Sequence, residues 1–267
     1  MLALICGEGR LPAALAAAVR GAGGAVLVCE LQGFAPHGLT PDLRFRLEHL
    51  GSLIADLKAR GVTEICLAGA IRRPAIDPGQ IDAATRPLVP VIQAALGAGD
   101  DGALRAAMAV FEQAGFRLRA AQDLAPDLLP APGCPTRAAP GEPARADAAR
   151  GAAIVAAMGA ADIGQSCVVH RGQALAVEAL FGTDWMLQSL ARRADGRGGI
   201  LYKAPKPGQD RRADLPTIGP GTVEGVVAAG LDGIVIEAGG VIVLDRDAVI
   251  AECDRHGLFL WLREAQG

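Results

Sequence analysis

The sequence predicts a two-domain α/β protein, with a parallel sheet in the amino-terminal half and an α/β domain of mixed strands in the carboxy-terminal half. Three observations predict it. Apolar runs alternate with helical stretches through residues 2–69, the pattern that lays helices on a parallel sheet. Six prolines, at 126, 130, 132, 135, 140 and 143, then interrupt any periodicity. Beyond them, apolar runs flank closely spaced turn signals, as hairpins do. The boundaries that follow are 1–122 for the first domain, 123–146 for a proline-rich linker or wrapping segment, and 147–267 for the second domain.

Leu2–Cys6 reads as a strand, Gly7-Glu-Gly-Arg-Leu-Pro12 as a glycine turn and Ala13–Arg20 as a helix. That order opens nucleotide-binding units, because glycines let backbone N–H groups approach an anion at a helix start. Pro12 stands where a third glycine would complete the fingerprint, so a plain tight turn explains the same residues. Val26–Leu31 is a second strand, and Glu30 at its end suits either a ribose hydroxyl or solvent. A helix over Leu47–Arg60 and a strand over Glu64–Gly69 follow. At the carboxyl end of that strand, Ala68-Gly-Ala-Ile-Arg-Arg-Pro74 puts Arg72 and Arg73 where ligands of open α/β sheets arrive. Gly99-Asp-Asp-Gly102 introduces a helix over Ala103–Ala114, with Asp101 as its cap, and Phe116–Ala120 is a strand.

In the second half a helix over Asp147–Met158 precedes Asp162-Ile-Gly-Gln-Ser and the strand Cys167–Val169. His170-Arg-Gly-Gln173 is the turn of a hairpin returning through Ala174–Leu180. Glu178 interrupts that apolar return strand, and a carboxylate there needs a partner or a metal. Thr183 or Asp184 suits the start of a helix over Trp185–Arg193. Ile200–Lys203 is a strand, Val223–Ala229 a helix, and Gly233–Gly240 with Val241–Asp245 a hairpin around the Gly-Gly pair, with Glu237 inside it. Asp247–His256 is a helix and Leu258–Leu262 a final strand.

The stretch with most chemistry joins the strand ending at Lys203 to the helix after Gly219. It holds Lys203, Lys206, Arg211 and Arg212 beside Asp210 and Asp214, stiffened by prolines at 205, 207, 216 and 220. Cations suit a polyanion, and two carboxylates four residues apart suit a hard divalent cation bridged to phosphate. A solvated connection carries the same charges, so the residue types alone leave both readings open.

Composition removes several classes. A net charge of −3 and 3% aromatic residues give neither the field nor the stacking surface of a nucleic-acid binder. The six cysteines show no C-x-x-C pairing and the four histidines no metal-ligand spacing. Apolar runs such as Ala13–Val19 and Val241–Leu244 fall short of the roughly 18 residues of a membrane span. With no signal-type leader at Met1, a cytoplasmic protein is expected. Neither a G-x-S-x-G elbow nor a phosphate loop ending in Lys-Ser/Thr is present.

Taken together, Asp162-Ile-Gly-Gln, Glu178 through Gly182-Thr-Asp184, Lys203-Ala-Pro-Lys-Pro-Gly-Gln-Asp210, Asp214-Leu-Pro-Thr-Ile-Gly219 and Glu237-Ala-Gly-Gly240 resemble the UDP-2,3-diacylglucosamine pyrophosphatases of lipid A synthesis, the LpxI family. Gly7-x-Gly9-x-Leu11-Pro12, Ala68-Gly-x-x-x-Arg73-Pro74 and Gly99-Asp-Asp match its first half in the same order. The resemblance implies a Rossmann-like first domain, a second domain of unusual fold and substrate bound between them. It implies Mg²⁺-dependent hydrolysis of UDP-2,3-diacylglucosamine to UMP and 2,3-diacylglucosamine 1-phosphate (lipid X), with attack leaning to the β-phosphorus.

On this resemblance Asp210, Asp214 and Glu178 are the metal candidates, and Asp214, Asp210, Lys203 and Lys206 the catalytic ones. Gly9, Leu11, Arg72, Arg73, Gln165, Thr183, Asp184, Gln209, Arg211 and Thr217 are expected at the substrate. Peripheral association with the cytoplasmic face of the inner membrane is expected, a homo-oligomer is left open, and no nucleic acid is involved. The alternative is a non-catalytic nucleotide or nucleotide-sugar binding protein.

Overall fold

Leu2-Ala-Leu-Ile-Cys6 has no polar side chain, and all five residues are buried in β1 (Leu2–Cys6), the middle strand of the first sheet. The computed structural model describes residues 1–265 apart from 73, 98, 99, 195, 213 and 214, and nothing of the side chains of 96, 100 and 101. Arg73, Gly99, Asp101 as a cap, and Asp214 therefore fall outside the description.

The first compact unit spans Met1–Pro126, and residues 210–212 group with it. After β1 come α1 (Leu11–Gly21), β2 (Val26–Leu31), β3 (Leu43–Phe45), α2 (Leu50–Ala59) and β4 (Glu64–Ala68). Then follow α3 (Val89–Gly97), α4 (Asp100–Gln113), β5 (Arg117–Leu118) and α5 (Ala121–Leu124). The strands pair in parallel in the order β3-β2-β1-β4-β5, as in doubly wound sheets. Leu50, Leu53 and Leu57 of α2 share one buried face, joined in the core by Ile5, Cys29 and Ile65. Glu30 is not solvated: it is buried and pairs with Arg44 at 3.5 Å.

The order reverses between β1 and β4, where open sheets bind ligands. Here the two loops are zipped together. Gly7 N donates to Ala68 O at 2.8 Å, and Glu8 and Ala70 exchange backbone bonds of 2.8 and 2.9 Å. A Cβ on Gly7 would lie 2.4 Å from Ala70 O, and one on Gly69 2.7 Å from Glu8 O. Gly7 thus serves the approach of a neighbouring loop.

Asp77 is tied to the turn ahead of α2 by Glu48. Its carboxylate, 3% exposed, accepts two hydrogen bonds from Arg46, at 3.2 and 2.9 Å, and one from the Asp77 amide at 2.9 Å. The Arg46 guanidinium, aided by that amide, outweighs burial and holds the Glu48 carboxyl down to about 2, from an ordinary 4.5. A depressed carboxylate contributes stability that is present above its unfolded pKa and lost as pH falls through the folded one. Glu48→Gln should therefore flatten the fall in melting temperature between pH 4.5 and 2. Melting curves with the wild-type slope would remove Glu48 from acid sensitivity.

The second unit comprises residues 127–209 with the chain after 214. It opens on α6 (Glu142–Ala160), five residues before the expected Asp147, because Pro143 sits in the first turn, where no amide hydrogen is needed. Upstream, part of the proline-rich stretch is laid along the edge of the second sheet. Gly133 bridges Leu262, and Thr136 Oγ1 accepts from Leu260 N at 2.9 Å.

After α6 come β6 (Ser166–His170), β7 (Gln173–Val177), α7 (Gly182–Ser189), β8 (Ile200–Lys203) and β9 (Thr217–Ile218). The chain ends with α8 (Pro220–Ala228), β10 (Gly233–Glu237), β11 (Ile242–Val243), α9 (Arg246–His256) and β12 (Phe259–Arg263). The sheet runs β12-β10-β8-β6-β7, with β12, β10 and β8 parallel and β6 antiparallel to both neighbours. Both faces are covered, one by Met186, Leu187, Val223, Val226 and Val249 of α7, α8 and α9, the other by Ala148 and Val155 of α6. This explains strands that are apolar throughout. The mixed sheet and the parallel one agree with the fold class the sequence predicts.

Two features set the β6–β7 hairpin. The buried Asp147 carboxylate accepts from Arg171 N at 3.0 Å and Gly172 N at 2.6 Å, steadying a turn whose residues have φ of 51° and 76°. Between Val169↔Ala174 and Val168↔Ala176 the register shifts, leaving Leu175 as the extra residue of a bulge.

Three sequence expectations need correction. Residues 233–245 form no hairpin: both flanks of β10 are taken, so β11 pairs in parallel with β9 instead. Glu178 stands just beyond β7, not inside it, whereas Glu237 does lie in a strand, as the last residue of β10. Neither Thr183 nor Asp184 caps α7; both lie in its first turn, and Phe181 holds the cap position.

Candidate active site

The second sheet gathers polar groups along one edge. β8 and β10 run in parallel, so their carboxyl ends, Lys203 and Glu237, lie together. β6 runs the other way, which sets its first residue, Ser166, opposite Lys203. The chain returns through β7, and Glu178 N donates to Ser166 O at 2.9 Å, extending the ladder by one pair. Cross-strand partners share a face, so Ser166 and Glu178 meet side chain to side chain.

Lys203 is 6% exposed; its Nζ donates to Thr183 Oγ1 at 2.8 Å and to Thr217 O at 3.1 Å. Ser166 Oγ donates to Glu178 Oε2 at 2.7 Å and lies 3.3 Å from Thr183 Oγ1. Gln165 N reaches the same Oε2 at 3.4 Å, and Gln165 O accepts from Ala204 N at 3.1 Å. Gln165 Oε1 is buried and accepts nothing from the described residues. A buried acceptor without a donor costs about 1–3 kcal/mol, which a ligand N–H or O–H would relieve.

The loop after β8 is irregular over its described residues. Lys206 Nζ pairs with Asp162 at 2.5 Å, and Lys206 N donates to Gln209 Oε1 at 3.0 Å. A Cβ on Gly240 would meet Glu237 Oε1 at 2.7 Å and Pro205 Cγ at 2.8 Å, so that glycine lets the turn after β10 pack on the loop. Asp184 is exposed in the first turn of α7, near the positive end of the helix dipole.

The other predicted residues belong to the first unit. Gly9 has φ 101°, Leu11 begins α1, and Arg72, 79% exposed, donates to Glu8 at 2.7 Å. Asp210 gives both oxygens to Arg212, which lowers its pKa, and Arg212 also reaches Glu112 at 2.7 Å. Arg211 is exposed, and its carbonyl accepts from Gln122 Nε2 at 3.1 Å.

The structure thus brings Lys203, Thr183, Thr217, Glu178 and Gln165 together, and adds Ser166, which sequence reasoning did not single out. The one available signal was its place directly after Asp162-Ile-Gly-Gln165, a hydroxyl at the head of an apolar run.

Burial pushes the thiols of Cys6, Cys29, Cys66 and Cys167 up to about 12 and that of Cys253 to about 11, which unfits them as thiolate nucleophiles. The edge thus gathers an ammonium, two hydroxyls and a carboxylate within hydrogen-bond reach of one another.

Comparison with known proteins finds two family models side by side. The LpxI N-terminal domain matches residues 1–128 and the LpxI C-terminal domain residues 131–261. A protein of Caulobacter vibrioides (strain ATCC 19089 / CIP 103742 / CB 15), named UDP-2,3-diacylglucosamine pyrophosphatase LpxI, is 38% identical over 268 residues, covering 97% of this chain and 96% of its own.

Proposed function

Because the chain belongs to the LpxI family, we propose that it hydrolyses the pyrophosphate bond of UDP-2,3-diacylglucosamine to UMP and 2,3-diacylglucosamine 1-phosphate. The observation that carries this is the 38% identity over 97% of the chain, which spans both halves. The edge chemistry supports it. An ammonium 6% exposed to solvent acts in a low dielectric, where it stabilises charge growing on a phosphoryl group far better than in water. Thr183 and Thr217 O fix its direction, and Gln165 offers an acceptor to the substrate. Asp184, Lys206 and Gln209, with Gly9, Leu11, Arg72, Arg73 and Arg211 of the first unit, are proposed as substrate contacts.

Magnesium is proposed as the cofactor. Asp214 and Glu178, with Asp210 although it also holds Arg212, supply carboxylate oxygens, the donors a hard dication takes, and among the described residues the hydrogen bonds to Glu178 fall on Oε2. Among the described residues, which leave out Asp214, no three acidic, histidine or cysteine side chains converge. These donors fit the ion. Bound there, it would polarise a phosphoryl oxygen and lower the pKa of water.

UMP release by the purified protein, with magnesium and with chelator in parallel, tests the proposal. Magnesium-dependent UMP and lipid X are expected. No release under either condition, with nucleotide still bound, would move the protein to a non-catalytic nucleotide-binding role.

No helix among the described residues is long and apolar enough to cross a membrane. Peripheral association with the cytoplasmic face of the inner membrane is proposed instead, since the substrate carries two acyl chains. Support comes from Leu180, Phe181 and Trp185, 81, 69 and 56% exposed, which flank Glu178 and Thr183 in the chain, with the Phe181 and Trp185 rings in contact. Aromatic and aliphatic groups of this kind settle at lipid interfaces. Phe181→Ser with Trp185→Ser should lose most co-sedimentation with anionic phospholipid vesicles. Unchanged sedimentation, with a smaller particle in gel filtration, would assign the patch to a homo-oligomer.

A further inference from the structure

We infer that Ser166 is a positioning residue for Lys203, acting through a two-hydroxyl bridge that runs from the Lys203 ammonium through Thr183 and Ser166 to the Glu178 carboxylate. The kinetic part rests on the pyrophosphatase reading; the geometry does not.

Each proton in the bridge has one place to go. As a carboxylate Glu178 only accepts, so Ser166, 2.7 Å from Oε2, spends its single proton there. The 3.3 Å contact must then be Thr183 donating to Ser166. Lys203 only donates, so Thr183 Oγ1 accepts from it at 2.8 Å. Every hydroxyl donates once and accepts once, and the chain has a single direction.

The four residues are buried: Ser166 at 0%, Lys203 at 6%, Thr183 and Glu178 at 8% exposure. With so little water near, an ammonium and a carboxylate at the two ends rely on the hydroxyls between them. Backbone geometry holds Ser166 in place. It pairs with Lys203 across the ladder, and Gly164 brings the entry to β6 so close to Glu178 that a Cβ there would lie 2.3 Å from Glu178 O. Without the Ser166 hydroxyl, Thr183 loses its acceptor and its rotation is no longer dictated. Lys203, whose Nζ is bonded to Thr183 and Thr217 O rather than to the Ser166 hydroxyl, then loses one of the two fixed acceptors that aim it.

The chain contains three lysines, 58, 203 and 206, so ¹⁵N-lysine labelling of the full chain yields a readable ammonium spectrum, with Lys203 assigned by its loss in Lys203→Met. Ser166→Ala is expected to shift the Lys203 Nζ resonance and speed its proton exchange. It should also lower kcat for UMP release roughly tenfold to a hundredfold, with KM within about twofold.

Thr183→Val should match that loss, and the Ser166→Ala/Thr183→Val double variant should add little to it, because members of one unit are not additive. Thr183→Ser, which keeps the hydroxyl, should recover rate relative to Thr183→Val. Ser166→Cys, which keeps the volume, serves if Ser166→Ala does not fold. An unchanged Lys203 resonance, or losses that multiply in the double variant, would overturn the bridge. A wild type that releases no UMP would refute the pyrophosphatase reading, while the lysine spectrum would still decide the bridge.

Discussion

Lys203→Met is expected to lower kcat for UMP release by about 10²–10³-fold, the cost of removing one preorganised charge from a water-poor site. Methionine keeps most of the aliphatic stem of lysine, so the loss reports the ammonium rather than a cavity. The same change leaves Glu178, 8% exposed, without a cation at the far end of its hydroxyl bridge. Uncompensated buried charge costs about 3 kcal/mol or more, so the melting temperature should fall as well. Assays run well below the new melting point keep the two effects apart. A variant that turns over within about threefold of wild type would take Lys203 out of the chemistry, since an oriented transition-state donor is worth far more.

Asp214→Ala is the second large effect, with turnover expected to fall by about 10³-fold or more and no recovery at saturating magnesium. The assignment turns on its neighbour. Asp210 commits both oxygens to Arg212, and that guanidinium, more than any other group, holds its carboxyl below the usual carboxylate range. Of the two loop carboxylates, Asp214 is therefore the one proposed for the metal and water, with Asp210 proposed to shape the loop through Arg212. Asp210→Ala should cost only about tenfold, in the range of a supporting contact. Rates measured across a magnesium titration check both, and a larger loss for Asp210 than for Asp214 would exchange their roles.

Much of the architecture was legible because apolar periodicity is a local property. Leu2–Cys6, Val26–Leu31 and Ile200–Lys203 needed only their own residues to read as strands, and all three form as read. Leu43–Phe45 escaped because three residues are too few for any period to show. The strand after Gly240 was assigned to the wrong partner because sequence gives its turn but not the occupancy of the flanks of β10.

At the site, residue types pointed to charge handling, but the pairing of those charges is tertiary. Lys206 meets Asp162, 44 positions away, and Arg212 meets Glu112, 100 positions away, and neither bond leaves a trace in local pattern. Ser166 shows the limit most sharply. One hydroxyl at a strand entry is ordinary until the strand beside it delivers Lys203 and the returning chain delivers Glu178.

That delivery depends on the bulge at Leu175. Counting back from the turn without it, Ser166 would face Val177, and Glu178 would fall one step beyond the ladder; with it, Ser166 and Glu178 are opposite. Insertions and deletions in this hairpin should therefore be tolerated unequally. Losing Leu175 would return the strands to regular pairing with the acid still opposite the hydroxyl. Gaining a residue between the turn and Glu178 would carry the acid past Ser166 with no second bulge to take up the slack. The return strand can thus be shortened by one residue at Leu175, but it cannot grow between the turn and Glu178 without disconnecting the acid from Ser166.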